Sequence, residues 1–80
     1  MDQDVTLSIH LTEDPIHTKA VARLDLRGEH FECAGTADRN PSDTPRPVIG
    51  EEIAIARALS ELQHQLLEAA WGKIYTANIQ

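Results

Sequence analysis

Eighty residues, 41% hydrophobic and 25% charged, describe a single small globular domain with a thin core. A chain of that size buries only about 60–65% of its unfolded surface, which makes self-association a natural remedy. A formal net charge of −6 argues against general affinity for phosphate backbones, and three aromatic residues, Phe31, Trp71 and Tyr75, are too few for a single-strand stacking platform.

No apolar run approaches the roughly 20 residues needed to cross a bilayer, and no charged-then-apolar leader opens the chain. The single cysteine, Cys33, can form no internal disulfide. The expectation is a cytoplasmic protein without membrane attachment.

Met1 to Asp4 is polar. Val5, Leu7, Ile9 and Leu11 then alternate with Thr6, Ser8, His10 and Thr12, which predicts a half-buried strand over about 5–12. Glu13-Asp14-Pro15 is a turn, because proline fixes φ and restricts its predecessor. A second strand is expected over 18–26, with Ala20, Ala22, Leu24 and Leu26 on one side and Lys19, Val21, Arg23 and Asp25 on the other. Arg27-Gly28-Glu29 is the next turn, with glycine available for positive φ. Phe31, Cys33, Gly35 and Ala37 alternate with His30, Glu32, Ala34 and Thr36 in a third strand over 30–38, completing an antiparallel meander.

Residues 39–49 contain Pro41, Pro45 and Pro47 among Asn, Ser and Asp, and read as a long irregular connection. A helix is expected over about 51–71. Ile55, Leu59, Leu62 and Leu66 recur at helical spacing, Ala58, Ala69 and Ala70 widen that face, and Arg57, Ser60, Glu61, His64 and Glu68 lie opposite. Glu51 and Glu52 are expected in the first turn, where carboxylates suit the positive end of the helix dipole. Gly72 is expected to end the helix, and 73–80 is either a short extension or an added strand. The small inward residues Ala20, Ala22, Cys33, Gly35 and Ala37 allow the helix to approach closely, with Leu59, Leu62 and Leu66 supplying volume. The fold class is α+β, in the order β-β-β-α.

Each chemically suggestive residue has a plainer structural reading. His10 and His30 fall on the polar side of the sheet and would share a metal only if strand pairing brought them together. Cys33 has inward parity and reads as a small buried hydrophobe rather than a nucleophile. Glu51 and Glu52 are accounted for by the helix dipole without acid–base chemistry. Glycines 28, 35, 50 and 72 form no phosphate loop. The chain therefore reads as non-enzymatic, with no catalytic, cofactor or metal site assigned.

Ile53 lies off the main apolar face, with Ala56 and Leu67 along the same edge. Either the proline-rich connection folds back over it through Val48 and Ile49, or Ile53, Ala56 and Leu67 contact a second subunit. The open edges of a three-stranded sheet offer another route to self-association. Lys19, Arg23 and Arg27, with Arg39 and Arg46, are the candidate contacts to RNA or a ribosome.

The run Gly35-Thr36-Ala37-Asp38-Arg39-Asn40-Pro41-Ser42-Asp43, followed by Pro47-Val48-Ile49-Gly50-Glu51-Glu52-Ile53-Ala54-Ile55-Ala56-Arg57-Ala58-Leu59-Ser60-Glu61-Leu62, resembles a family of small actinobacterial proteins of unknown function with a dsRBD-like fold. Thr18 to Leu24 matches more loosely. The chain departs from the family in lacking a tryptophan near the first strand and in its Thr44-Pro45-Arg46 connection. The resemblance implies a β-β-β-α domain, usually homodimeric, associated with stress or dormancy and without an assigned reaction. It also implies a fold-level likeness to ribosome-hibernation factors. Glu61 and Glu68 beside Arg57 on the exposed helix side work against direct double-stranded RNA binding. The leading expectation is a homodimeric stress- or dormancy-related interaction module; the alternative is an RNA- or ribosome-binding protein.

Overall fold

A computed structural model describes residues 1–44 and 46–79, with the side chains of 77–79 excepted. Strands β1 (Leu7–Glu13), β2 (His17–Leu26) and β3 (Glu29–Asp38) form an antiparallel sheet in the order β1-β2-β3, followed by one helix, α1 (Pro47–Ile79). The expected α+β arrangement is the one observed.

Local chemistry fixes both turns. The Asp14 carboxylate accepts hydrogen bonds from the backbone N–H groups of Ile16 and His17 at 2.9 and 2.7 Å, closing the β1–β2 turn. Arg27 (φ 53°) and Gly28 (φ 82°) both take left-handed conformations, as a two-residue hairpin that follows the sheet twist requires. The resulting register places Ala22 opposite both Ile9 and Cys33, and Ala20 opposite Leu11 and Gly35.

The helix is longer than its periodicity predicts, at both ends. Pro47 occupies the first helical turn, where its missing N–H has no intrahelical acceptor to lose and its fixed φ already suits the helix. At the other end the chain runs through Gly72 without leaving helical geometry, and Thr76 Oγ1 donates to the Gly72 carbonyl at 2.9 Å. Glycine ends a helix when it adopts positive φ, and Gly72 does not. Segment 73–79 is therefore helical extension; Gln80 and Pro45 lie outside the described residues.

The face turned to the sheet also differs from expectation. Ala54, Ala58 and Leu62 are buried, Ile55 and Leu66 pack at the flank, and Leu59 is 36% exposed. The cause lies in Gly35. A Cβ there would stand 2.3 Å from the Ala54 carbonyl oxygen and 2.3 Å from the Ala58 nitrogen. Helix backbone thus rests directly on β3, and only alanine fits at the contact. Periodicity identifies the bulkiest residues, whereas the closest approach selects the smallest.

Strand β1 is exposed along its whole length rather than half-buried. Its apolar side chains share the helix side of the sheet, since Leu7, Ile9 and Leu11 oppose Leu24, Ala22 and Ala20. However, α1 lies over β2 and β3. Leu7, Ile9 and Leu11 remain 41%, 37% and 36% exposed.

Candidate functional site

A cleft of about 630 Å³ opens where the β1–β2 turn, the end of β3, the 40–44 segment and the start of α1 converge. Arg39 builds much of its wall. Its Nε donates to the Pro15 carbonyl at 3.0 Å, and Nη1 donates to the carbonyls of Asn40 (3.2 Å), Pro41 (3.4 Å) and Asp43. Asn40 Oδ1 accepts from the Ser42 N–H at 3.1 Å and the Ser42 hydroxyl at 2.9 Å. The Asn-Pro-Ser-Asp segment is thus a turn stapled by an arginine, and its composition has a structural explanation.

The charges around the cleft are largely engaged. Two backbone N–H groups, from His17 and then Ile16, hold the Asp14 carboxyl below its ordinary range. The Asp38 carboxylate, 2.9 Å from His17 Nδ1, raises the imidazole above its usual value, with help from the Asp14 charge. Glu13 is pushed upward by its hydrogen bond to Glu51, and secondarily by burial and by the Glu51 charge; because α1 opens at Pro47, Glu51 and Glu52 stand past its first turn rather than in it. Arg46, Ile49 and Ile53 complete the cleft on the helix side.

Of the candidate basic residues only Arg39 and Arg46 are brought together, at the cleft. Lys19 and Arg23 lie on the outer side of the sheet, opposite α1, and Arg23 pairs with Glu32. Arg27 sits in the β2–β3 turn, while Arg39 and Arg46 line the cleft at the other end of the sheet. With β2 spanning ten residues, those ends stand roughly 30 Å apart. Strand pairing likewise separates His10 from His30. His10 faces Val21, His30 faces Asp25, and β2 runs between them. His30 instead meets Asp25 at 2.6 Å. Cys33 is buried, and burial pushes its thiol upward, away from the reactive thiolate.

Ile53, Ala56 and Leu67 are all exposed outside the Ala54–Ala58–Leu62 face: Ala56 and Leu67 project away from the sheet, while Ile53, next to Ile49, borders the cleft beside the 40–44 segment. Val48 and Ile49 do not fold over Ile53. They belong to the first helical turn and are themselves exposed. Ile49 and Ile74, both exposed, continue this line beyond a helix bounded at 51 and 71, and the exposed Trp71 stands at its last residue. The signal that would have found them is the continuation of the 3–4 spacing through Pro47 and Gly72. Arg57, on the edge of this side, donates to the Thr36 carbonyl at 2.7 Å and ties α1 to β3.

The chain belongs to the Rv2632c-like family, whose profile matches residues 3–80. It is 42% identical over 60 residues to the uncharacterized protein Rv2632c of Mycobacterium tuberculosis (strain ATCC 25618 / H37Rv), an alignment taking in 75% of this chain and 64% of that protein. The match therefore spans a little less than two thirds of that relative's length. Identity to the uncharacterized protein Mb1767 of Mycobacterium bovis is 38% over 68 residues, covering 85% of this chain and 72% of that one. A crystal structure of Rv2632c has the same fold, with a TM-score of 0.93 at 34% identity, covering all of this chain and 95% of the other.

Proposed function

We propose that this chain is a non-enzymatic interaction module that works as a homodimer and docks a further protein. The carrying observation is that large apolar side chains stay uncovered on two separate surfaces. One is the β1 flank, with Leu7, Ile9 and Leu11. The other is the outer side of α1, with Ile53, Leu67, Trp71 and Ile74. No large side chain is fully buried among the described residues, so the monomer core is slight and oligomerisation adds the missing apolar burial. One surface serves the second copy and the other remains for a partner.

The three-stranded sheet with a helix along it supports a dsRBD-like reading of the architecture. A stress- or dormancy-related regulatory role in the cytoplasm is carried by the family resemblance. RNA or ribosome binding draws less support, because Lys19, Arg23, Arg27, Arg39 and Arg46 are spread over distant places and two of them hold intrachain contacts.

Light scattering at micromolar concentration is expected to give twice the chain mass, and a monomer would remove the homodimer reading. Crosslinking pull-down from the native cell is expected to recover a protein partner. Salt-sensitive binding to ribosomes or duplex RNA would instead promote the nucleic-acid reading.

A further inference from the structure

The outer side of α1 carries a continuous 3–4 repeat: Ile49, Ile53, Ala56, Ser60, Gln63, Leu67, Ala70 and Ile74. That spacing suits a coiled-coil seam, and it lies opposite the Ala54–Ala58–Leu62 face that packs on the sheet, with Ile49 and Ile53 at its first end also bordering the cleft. Apolar residues occupy its two ends and polar ones its centre. We infer that this seam pairs with the same seam of a second copy, antiparallel, about a two-fold axis between residues 61 and 62. The inference rests on the homodimer reading and specifies its surface.

Three features single out a second copy as the occupant. First, the pairing is complementary in size. The axis sets Ile49 against Ile74, Ile53 against Ala70, Ala56 against Leu67 and Ser60 against Gln63, so that large residues meet small ones in the inner layers and polar residues meet at the centre. A parallel pairing would stack Ala56 on Ala56 and Leu67 on Leu67.

Second, the flanking positions are complementary in charge and polarity. Glu52 comes beside Lys73, which also meets Glu29 of its own chain at 2.6 Å, and the exposed Leu59 comes beside Leu66.

Third, the seam carries uncovered apolar side chains at both ends. Ile49, Ile53, Leu67, Trp71 and Ile74 are 49%, 38%, 43%, 55% and 56% exposed, so large apolar side chains stand open at both ends of the seam, where a second copy would cover them.

The arrangement also explains why α1 is 33 residues long. Residues 70–76 are exposed except for the Lys73–Glu29 contact at 2.6 Å. A helical end with so little tertiary support is marginal in water. In the pair, that end lies along the first turns of the partner helix. The two sheets then sit on opposite outer sides of a helix pair, clear of each other, and both β1 flanks stay available.

Cysteine crosslinking tests the geometry. Differently tagged chains carrying Ile53→Cys and Ala70→Cys are mixed and mildly oxidised. A disulfide joining the two tags supports the antiparallel seam. A light-scattering dimer that forms only Ile53→Cys homodisulfides, or none, overturns the seam while leaving the homodimer reading intact; a wild-type monomer overturns both. Ala56→Glu provides an independent arm, because its site is exposed and its helical circular dichroism should be retained. It is expected to weaken dimerisation at least 100-fold, whereas Ile9→Ser leaves dimerisation unchanged. Retention of a tight dimer by Ala56→Glu would also overturn the proposal.

Discussion

Gly35 sets how near α1 lies to the sheet, because its missing side chain is replaced by helix backbone. The two atoms a Cβ would strike at 2.3 Å, the Ala54 oxygen and the Ala58 nitrogen, are both main-chain and have no rotamer through which to escape. Gly35→Ala is therefore expected to destabilise the fold by about 3 kcal/mol, at the upper end of ordinary overpacking. A drop in the urea midpoint at unchanged m would report it. His17 is the other residue with a directional consequence. Asp38 raises its folded-state value above the ordinary 6.5. The pair's contribution to stability is then complete below pH 6.5 and is lost as pH rises through the raised folded value. An NMR titration of the His17 ring should show the elevated midpoint, and Asp38→Asn should lower it.

Among the elements, α1 shows how a local rule yields to context. Glycine costs about 1 kcal/mol relative to alanine inside a helix, and Gly72 has open space where a Cβ would go. Gly72→Ala is expected to stabilise the helix by about 0.5–1 kcal/mol, read as a higher thermal midpoint by circular dichroism. An unchanged or lower midpoint would mean that the glycine is needed for a close contact there. Pro47 illustrates the reverse: the residue that reads as a break is the one that opens the helix. Strand β1 is held by backbone pairing with β2 rather than by packing against α1, which makes it the least covered element of the sheet.

Over the whole molecule the apolar burial is uneven. The core runs along β2, β3 and the inward face of α1, through Ala20, Ala22, Cys33, Ala54, Ala58 and Leu62. Leu62 is its largest helix contribution and is 5% exposed. Leu62→Ala is expected to cost about 2–4 kcal/mol, as for other buried leucines. Ile9→Ala, on the uncovered flank, should cost less than about 1 kcal/mol in the same urea titration. Equal losses would show that β1 is covered in solution, by a partner copy or otherwise. The measurement thus separates a surface kept free for binding from one that belongs to the core.

The order of three strands and a helix followed from the alternation of Leu7 to Leu11, Ala20 to Leu26 and Phe31 to Ala37, and from the repeat of Ile55 to Leu66, because side-chain period is a local property of backbone geometry. The prolines and glycines located both turns for the same reason. What the chain could not announce by itself was where the helix would rest. That depended on Gly35, whose absent Cβ matters only when Ala54 and Ala58 arrive above it from twenty residues away. Resting there, α1 covers two strands and not three. Leu59 and the β1 residues are left outside the core, the five cations are dispersed, and Ile49 to Ile74 are lined up on the free side. Local pattern determined which elements form; the closest approach between two of them decided which surfaces remain.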